Sequence, residues 1–193
     1  MKKVIQIVAT GEGFMDYDKS REAWVLLKAF LRGAKGNRIF SMDGLDIALI
    51  KNGEITKDEV IERIGEIEFI TAENFPIWDY EPKYFTNSVC YMIAMAIKEG
   101  YGRIELYGVR QAGLVEYMDQ RKGVEFWVGY AMGKGIEVYI NPPTSLLKNH
   151  RDAPYGYYEN EAYKLETKKE GAVMRSLHLV HHLLGTRRLD DKR

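Results

Sequence analysis

Between residues 86 and 140 the sequence alternates between the signatures of helices and of short apolar strands, which sharply limits the folds open to it. "TNSVCYMIAMAIKEGYG" places Val89, Met92, Ile93, Ala96 and Ile97 on one helical face. Thr86, Asn87 or Ser88 can cap that helix, and Gly100 or Gly102 ends it. "RIELY", residues 103–107, reads as a strand running into Gly108. A second helix is expected near 124–132, closed by Gly133 or Gly135, and then a strand at 136–140 that Pro142 and Pro143 stop. Strands joined through helices need crossover connections, and crossovers produce a largely parallel sheet. The near-continuous Val- and Ile-rich run at residues 3–9 suits a first strand buried on both faces.

The rest of the first half is less regular. Residues 22–31, "EAWVLLKAFL", fit a helix or a strand, and residues 38–42 fit a short strand. Residues 45–50 read as a further strand or the end of a hairpin turned by "KNGE". Residues 56–64 form a helix with a capping box, Thr56 followed three residues on by Glu59. A strand is expected at 66–71, followed by an aromatic loop that Pro76 and Pro82 punctuate. The fold class this predicts is α/β and Rossmann-like: a largely parallel sheet flanked by helices over residues 1–150. Residues 151–193 are expected to be a linker and a helical C-terminal appendage. There Leu165, Val173, Leu177, Val180 and Leu184 recur at helical spacing, a stripe suited to forming a homo-oligomer.

Composition narrows the partners. With 28 basic and 28 acidic residues the formal charge is zero, which argues against a general nucleic-acid binder. Cys90 is the only cysteine, so no intrachain disulfide forms. No apolar run has the length of a membrane span, and the N-terminus reads as a strand rather than a signal peptide. The expected location is therefore the cytoplasm.

Four segments carry candidate chemistry. Gly11-Glu12-Gly13 follows the first strand, where glycine lets backbone amides approach a phosphate, and Thr10 adds a hydroxyl. A dinucleotide fingerprint needs a third glycine where Asp16 stands, and the lysine of a phosphate-binding P-loop is missing too. Thr86, Asn87 and Ser88 open a helix, as an anion site or as plain caps. The polar stretch 108–126 leaves a strand end. It offers Arg110 and Arg121 for phosphate or carboxylate, Gln111 and Gln120 as amides, and Glu116, Asp119 or Glu125 as base, nucleophile or metal ligand. Lastly, His178 and His182 lie one helical turn apart without an evident third ligand, so no metal and no cofactor is assigned.

Two resemblances extend this reading. "VEFWVGYAMGKG" looks like the nucleophile helix of nucleoside 2-deoxyribosyltransferases, which implies N-glycosidic chemistry at Glu125, with Gly129, Ala131, Gly133 and Lys134 echoing the pattern. "YFTNSVCYMIAMAIKEGYGRIELYGV" and "QRKGVEFWVGYAMGKGIEVYINPPTSLLK" resemble a family of bacteriophage-encoded, uncharacterised Rossmann-like proteins. "GEGFMDYDKSREAWVLLKAF" and "RIFSMD" resemble that family's N-terminal pattern. The core is similar, more distantly, to MptE-like 6-hydroxymethylpterin diphosphokinases and family-42 sialyltransferases. These resemblances imply a small nucleotide-like phosphorylated ligand at the edge formed by Thr10, Gly11, Gly13, Asn87, Ser88, Arg110, Gln120 and Arg121. They also imply alternatives: a nucleotide-sugar or diphosphate transferase using Glu116 or Asp119, or a phage interaction protein without a small ligand. The chain departs from the family at Arg110, where relatives have an acid, at Glu12-Gly13 in place of Pro-Ser, and at Asp43 in place of a histidine.

Overall fold

Strand β1, Val4–Val8, is buried at every position after its first, as a strand covered on both faces requires. The computed structural model describes residues 2–111 and 115–148, the side chains of 115–117 excepted. The chain divides into two compact units, Met1–Leu147 and Lys148–Arg193, and all but one of the described residues belong to the first. The expected tail helix, His178 and His182 lie outside the described residues.

The elements follow in the order β1, β2 (Ala23–Leu26), α1 (Leu27–Leu31), β3 (Arg38–Phe40), α2 (Ala48–Lys51), α3 (Lys57–Ile64), β4 (Glu68–Ile70), a 3-10 turn at Ile77–Asp79, α4 (Ser88–Lys98), β5 (Arg103–Tyr107), α5 (Val115–Gly133) and β6 (Glu137–Ile140). The six strands make one sheet in the order β4-β3-β2-β1-β5-β6, and every pairing is parallel. This is the expected Rossmann-like α/β architecture. The chain runs outward from β1 to β4, then returns to lay β5 against the other side of β1, so the direction of winding switches between β1 and β5.

Alternation along the strands builds two cores. Ile5, Ile7, Trp24, Phe40, Ile104 and Leu106 share one cluster with Met92, Ile93, Val124, Trp127 and Val128 of α4 and α5. Val8, Val25, Ile39 and Tyr107 share the other with Tyr17, Leu27, Ile47, Val60 and Ile64. Burying each large side chain stabilises the fold by about 1.5–3 kcal/mol.

Three sequence expectations change. Residues 22–31 are neither all helix nor all strand: β2 passes into α1 with no break between them. Residues 45–50 are not a strand; Ile47 tucks into the core and Ala48–Lys51 is a single helical turn. Helix α5 starts at Val115, not near 124, so most of the polar stretch 108–126 is helical. Gly123 does not break it. A Cβ there would stand 2.0 Å from the Thr86 Oγ1, so the glycine lets α5 pass close to the start of α4.

The capping box of α3 is formed as the sequence predicts. Thr56 accepts from the Glu59 amide at 3.2 Å, and Glu59 accepts from the Thr56 amide at 2.7 Å. Thr56→Ala is expected to lower stability by about 1 kcal/mol, read as a shift of the urea midpoint with an unchanged slope.

No helix joins β1 to β2, and residues 9–22 instead lie as a loop across the sheet. Two buried polar strand residues hold it there. Gln6, fully buried, donates to the Asp18 carbonyl and accepts from the Asp18 amide, both at 2.8 Å. Glu105, 4% exposed on the neighbouring strand β5, accepts from Arg21 Nη2 at 2.9 Å, Arg103 Nε at 2.7 Å and the Tyr107 hydroxyl at 3.2 Å.

Candidate functional site

In open parallel sheets ligands gather beyond the carboxyl ends of the strands, at the point where the winding switches. Here that point is the crevice between β1 and β5. The loops leaving these strands continue their pairing: the Ala9 amide donates to the Tyr107 carbonyl and the Gly11 amide to the Gly108 carbonyl, both at 2.8 Å. Beside them opens a cleft of about 870 Å³, within the range of small-molecule sites.

Six segments wall the cleft, one of them α5 through Gln120. Thr10, Gly11 and Glu12 come from the loop after β1; Gly108, Arg110 and Gln111 come from the loop after β5. Thr86, Asn87 and Ser88 bring the start of α4. Lys28 and Arg32, four residues apart, project from the α1 region, and Ser41, Met42 and Asp43 follow β3. Hydrogen bonds tie these walls together. Arg32 Nη1 donates to the Thr10 carbonyl at 3.3 Å, the Met42 amide to Ser88 Oγ at 3.3 Å, and Thr86 Oγ1 to the Gln120 carbonyl at 2.9 Å. A site cross-braced in this way holds its shape before a ligand arrives.

Its lining mixes amide donors with charges, three cations and two carboxylates. The first amides of α4 have no partner within the helix and stand at the positive end of its dipole. Lys28, Arg32 and Arg110 line the same cleft as two carboxylates, Glu12 and Asp43. Glu12 is engaged with Arg110 at 3.2 Å, an exposed pair that contributes little to stability. Asn87 caps α4, its Oδ1 accepting from the Cys90 amide at 3.2 Å. Its Nδ2 and the Oε1 of Gln111 are buried with no hydrogen-bond partner among the described residues. The nearby Cys90 thiol is pushed up by burial, with hydrogen bonds from Thr86 and Asn87 offsetting this only in part. Cys90 is therefore an inert core thiol. The described residues hold no group of three or more His, Cys, Asp or Glu placed to bind a metal.

Of the residues singled out from sequence, Thr10, Gly11, Asn87, Ser88, Arg110 and Gln120 converge on this cleft. Gly13 does not line it; this glycine packs against Asn141, whose Nδ2 donates to the Gly13 carbonyl and to Asp16. Asp16, standing where a third fingerprint glycine belongs, thus fastens the loop to the end of β6. Asp119 lies outside the cleft walls and pairs with Lys122 at 2.7 Å. Arg121 and Glu125 also lie outside them, paired at 2.7 Å, with Glu125 accepting from the Leu147 amide at 2.8 Å. Glu116 belongs to α5, and its side chain lies outside the described residues.

Sequence reading missed Lys28, Arg32 and Ser41, and noted Asp43 only as a departure from a family pattern. The available signal was the spacing in "LLKAFLR": two cations one helical turn apart, directly after a strand.

No protein-family model matches the chain, and no curated protein matches it. Solved structures match it at low identity. Thiamine pyrophosphokinase from Bacillus subtilis is 14% identical, over 72% of this chain and 60% of that one, with a TM-score of 0.48. The chain thus spans less than two thirds of that enzyme's length. The sialyltransferase CstII from Campylobacter jejuni, in complex with CMP-3FNeuAc, is 19% identical over 72% of this chain and 81% of its own, with a TM-score of 0.43. The same enzyme with cytidine-5'-monophosphate gives 19% identity over 77% and 86%, with a TM-score of 0.37. The Rossmann-like assignment itself stands on the all-parallel six-stranded sheet.

Proposed function

We propose that the protein binds a nucleotide or nucleotide-like phosphorylated small molecule in the cleft between β1 and β5. The observation that carries this is the place of the cleft: beyond the carboxyl ends of the central strands at the winding switch, with the amino end of α4 in one wall and Lys28 and Arg32 in another. The phosphate is held by α4 amides and Ser88, and by the cations of α1 and Arg110. Arg110 takes it by exchanging the Glu12 carboxylate for the ligand's oxygens, a swap that costs little because the existing pair is exposed.

Titration calorimetry against nucleoside mono- and diphosphates, nucleotide sugars and phosphorylated pterins, with and without magnesium, tests this. At least one compound is expected to bind, and the Lys28→Ala/Arg32→Ala double variant to bind it about 10- to 100-fold more weakly while unfolding at the same temperature. Both side chains are polar wall residues and neither belongs to the core. Binding that the double variant leaves unchanged, or no binding by any member of the panel, would overturn the proposal.

A further inference from the structure

Two side-chain amides in the cleft are left with something to offer. We infer that Asn87 and Gln111 read the edge of a nucleobase at the neutral end of the ligand; the inference rests on the phosphorylated-ligand reading above. Asn87 has its orientation fixed, because its Oδ1 is spent on the Cys90 amide. Its Nδ2 must therefore be the group facing outward from the cap, and it is a donor. Gln111 is 9% exposed, and its Oε1 is an acceptor. Both residues line the cleft, and neither of these atoms has a partner among the described residues.

Folded proteins rarely leave such groups unmatched, and those that remain call for a reason. A phosphate cannot supply it for both, since an anion's oxygens accept only and leave Gln111 Oε1 unserved. What matches is a group with an acceptor beside a donor, which every nucleobase presents on its pairing edge. A sugar hydroxyl offers the same pair, but the aromatic surroundings favour a flat ring. Phe85 and Tyr91 also line the cleft, stacked on one another with centroids 4.3 Å apart. Both atoms are shielded from solvent in residues that line the cleft; the last torsion of the Gln111 side chain is soft and can turn its Oε1 to a bound base, while Asn87 Nδ2 keeps the orientation its cap sets.

The test compares the four nucleoside monophosphates with ribose 5-phosphate. In the wild-type protein at least one nucleotide is expected to bind about tenfold or more tightly than the sugar phosphate. Asn87→Ser keeps a capping oxygen and removes the amide donor; Gln111→Leu removes the acceptor. In each variant the ratio of the two affinities is expected to fall to within about twofold. Gln111→Leu is also expected to unfold at a higher temperature, because an unserved buried polar group has been replaced by an apolar one. Nucleotides that bind no better than ribose 5-phosphate overturn the inference and leave the cleft reading standing, as does a preference that survives both variants. Failure of every phosphorylated compound to bind overturns the cleft reading itself, and this inference with it.

Discussion

Glu105→Ala is expected to lower the free energy of unfolding by roughly 2–3 kcal/mol at neutral pH. Removing one partner of a buried ion pair commonly costs about 3–5 kcal/mol. The lower figure applies because Arg21 and Arg103 reach partly to solvent and can rehydrate, with side-chain exposures of 42% and 32%. The loss spreads beyond β5. With Arg21 released from β5, the loop at residues 9–22 loses one of its ties to the sheet, and that loop carries Thr10, Gly11 and Glu12 into the cleft.

The same residue gives the protein an acid limb of defined sign. Burial works to raise the Glu105 pKa, but hydrogen bonds from Arg103 and Arg21 outweigh it and hold the carboxyl below the ordinary value of 4.5. A carboxyl with a depressed folded pKa contributes stability that is complete above its unfolded pKa and is lost as pH falls through the folded one. The negative carboxylate also pushes the Tyr107 hydroxyl, already raised by burial, up to about 12. Glu105→Gln keeps the shape and removes the charge. Urea melts of wild type and this variant should therefore differ most near pH 7, and the gap should narrow steadily as the pH is taken below about 4.5. A gap of constant size down to the acid transition would show that Glu105 does not titrate in this way.

How far the sequence discloses this molecule depends on where chain punctuation coincides with structure. The helix α4 and strand β5 are legible because an asparagine cap, an apolar face and a glycine stop fall where the structure needs them. The capping box marks α3 for the same reason. By contrast, β2 and α1 are one unbroken apolar run, and nothing in "AWVLLKAFL" marks the residue at which the backbone changes conformation. Gly123 carries a false signal. It serves close packing against Thr86 within α5, whereas the sequence reading starts the helix only after it, near 124. The site shows the same division. Thr10, Gly11, Asn87, Ser88 and Arg110 sit just past strand ends or at a helix start, positions that local pattern can find. Lys28, Arg32 and Ser41 join them only because β2 lies beside β1 and β3 beside β2 in the sheet, and strand order is a property of the whole chain.

The second large effect is expected at Gly108, the hinge of the switch point. Gly108→Ala should destabilise the protein by about 3 kcal/mol or more, from two independent causes. Its φ of +63° is a conformation that costs an L-residue about 1–2 kcal/mol. Its added Cβ would stand 2.5 Å from the Phe14 Cβ and 2.9 Å from the Gly11 carbonyl oxygen. Overpacking of this kind costs about 1–3 kcal/mol. No rotamer relieves it, since the atoms in the way belong to the backbone or stand next to it. Gly11 shows the reciprocal constraint, its own Cβ meeting the Gly108 carbonyl oxygen at 2.6 Å. The two loops are thus pressed together glycine against glycine in the wall of the cleft. The "GEG" of the sequence is in this sense half of a pair, completed by the glycine after "RIELY". Chemical denaturation of Gly108→Ala, with ligand binding measured on the folded fraction, tests the argument. Weakened binding together with lost stability is expected, and a variant as stable as wild type would mean that the loops have room to part.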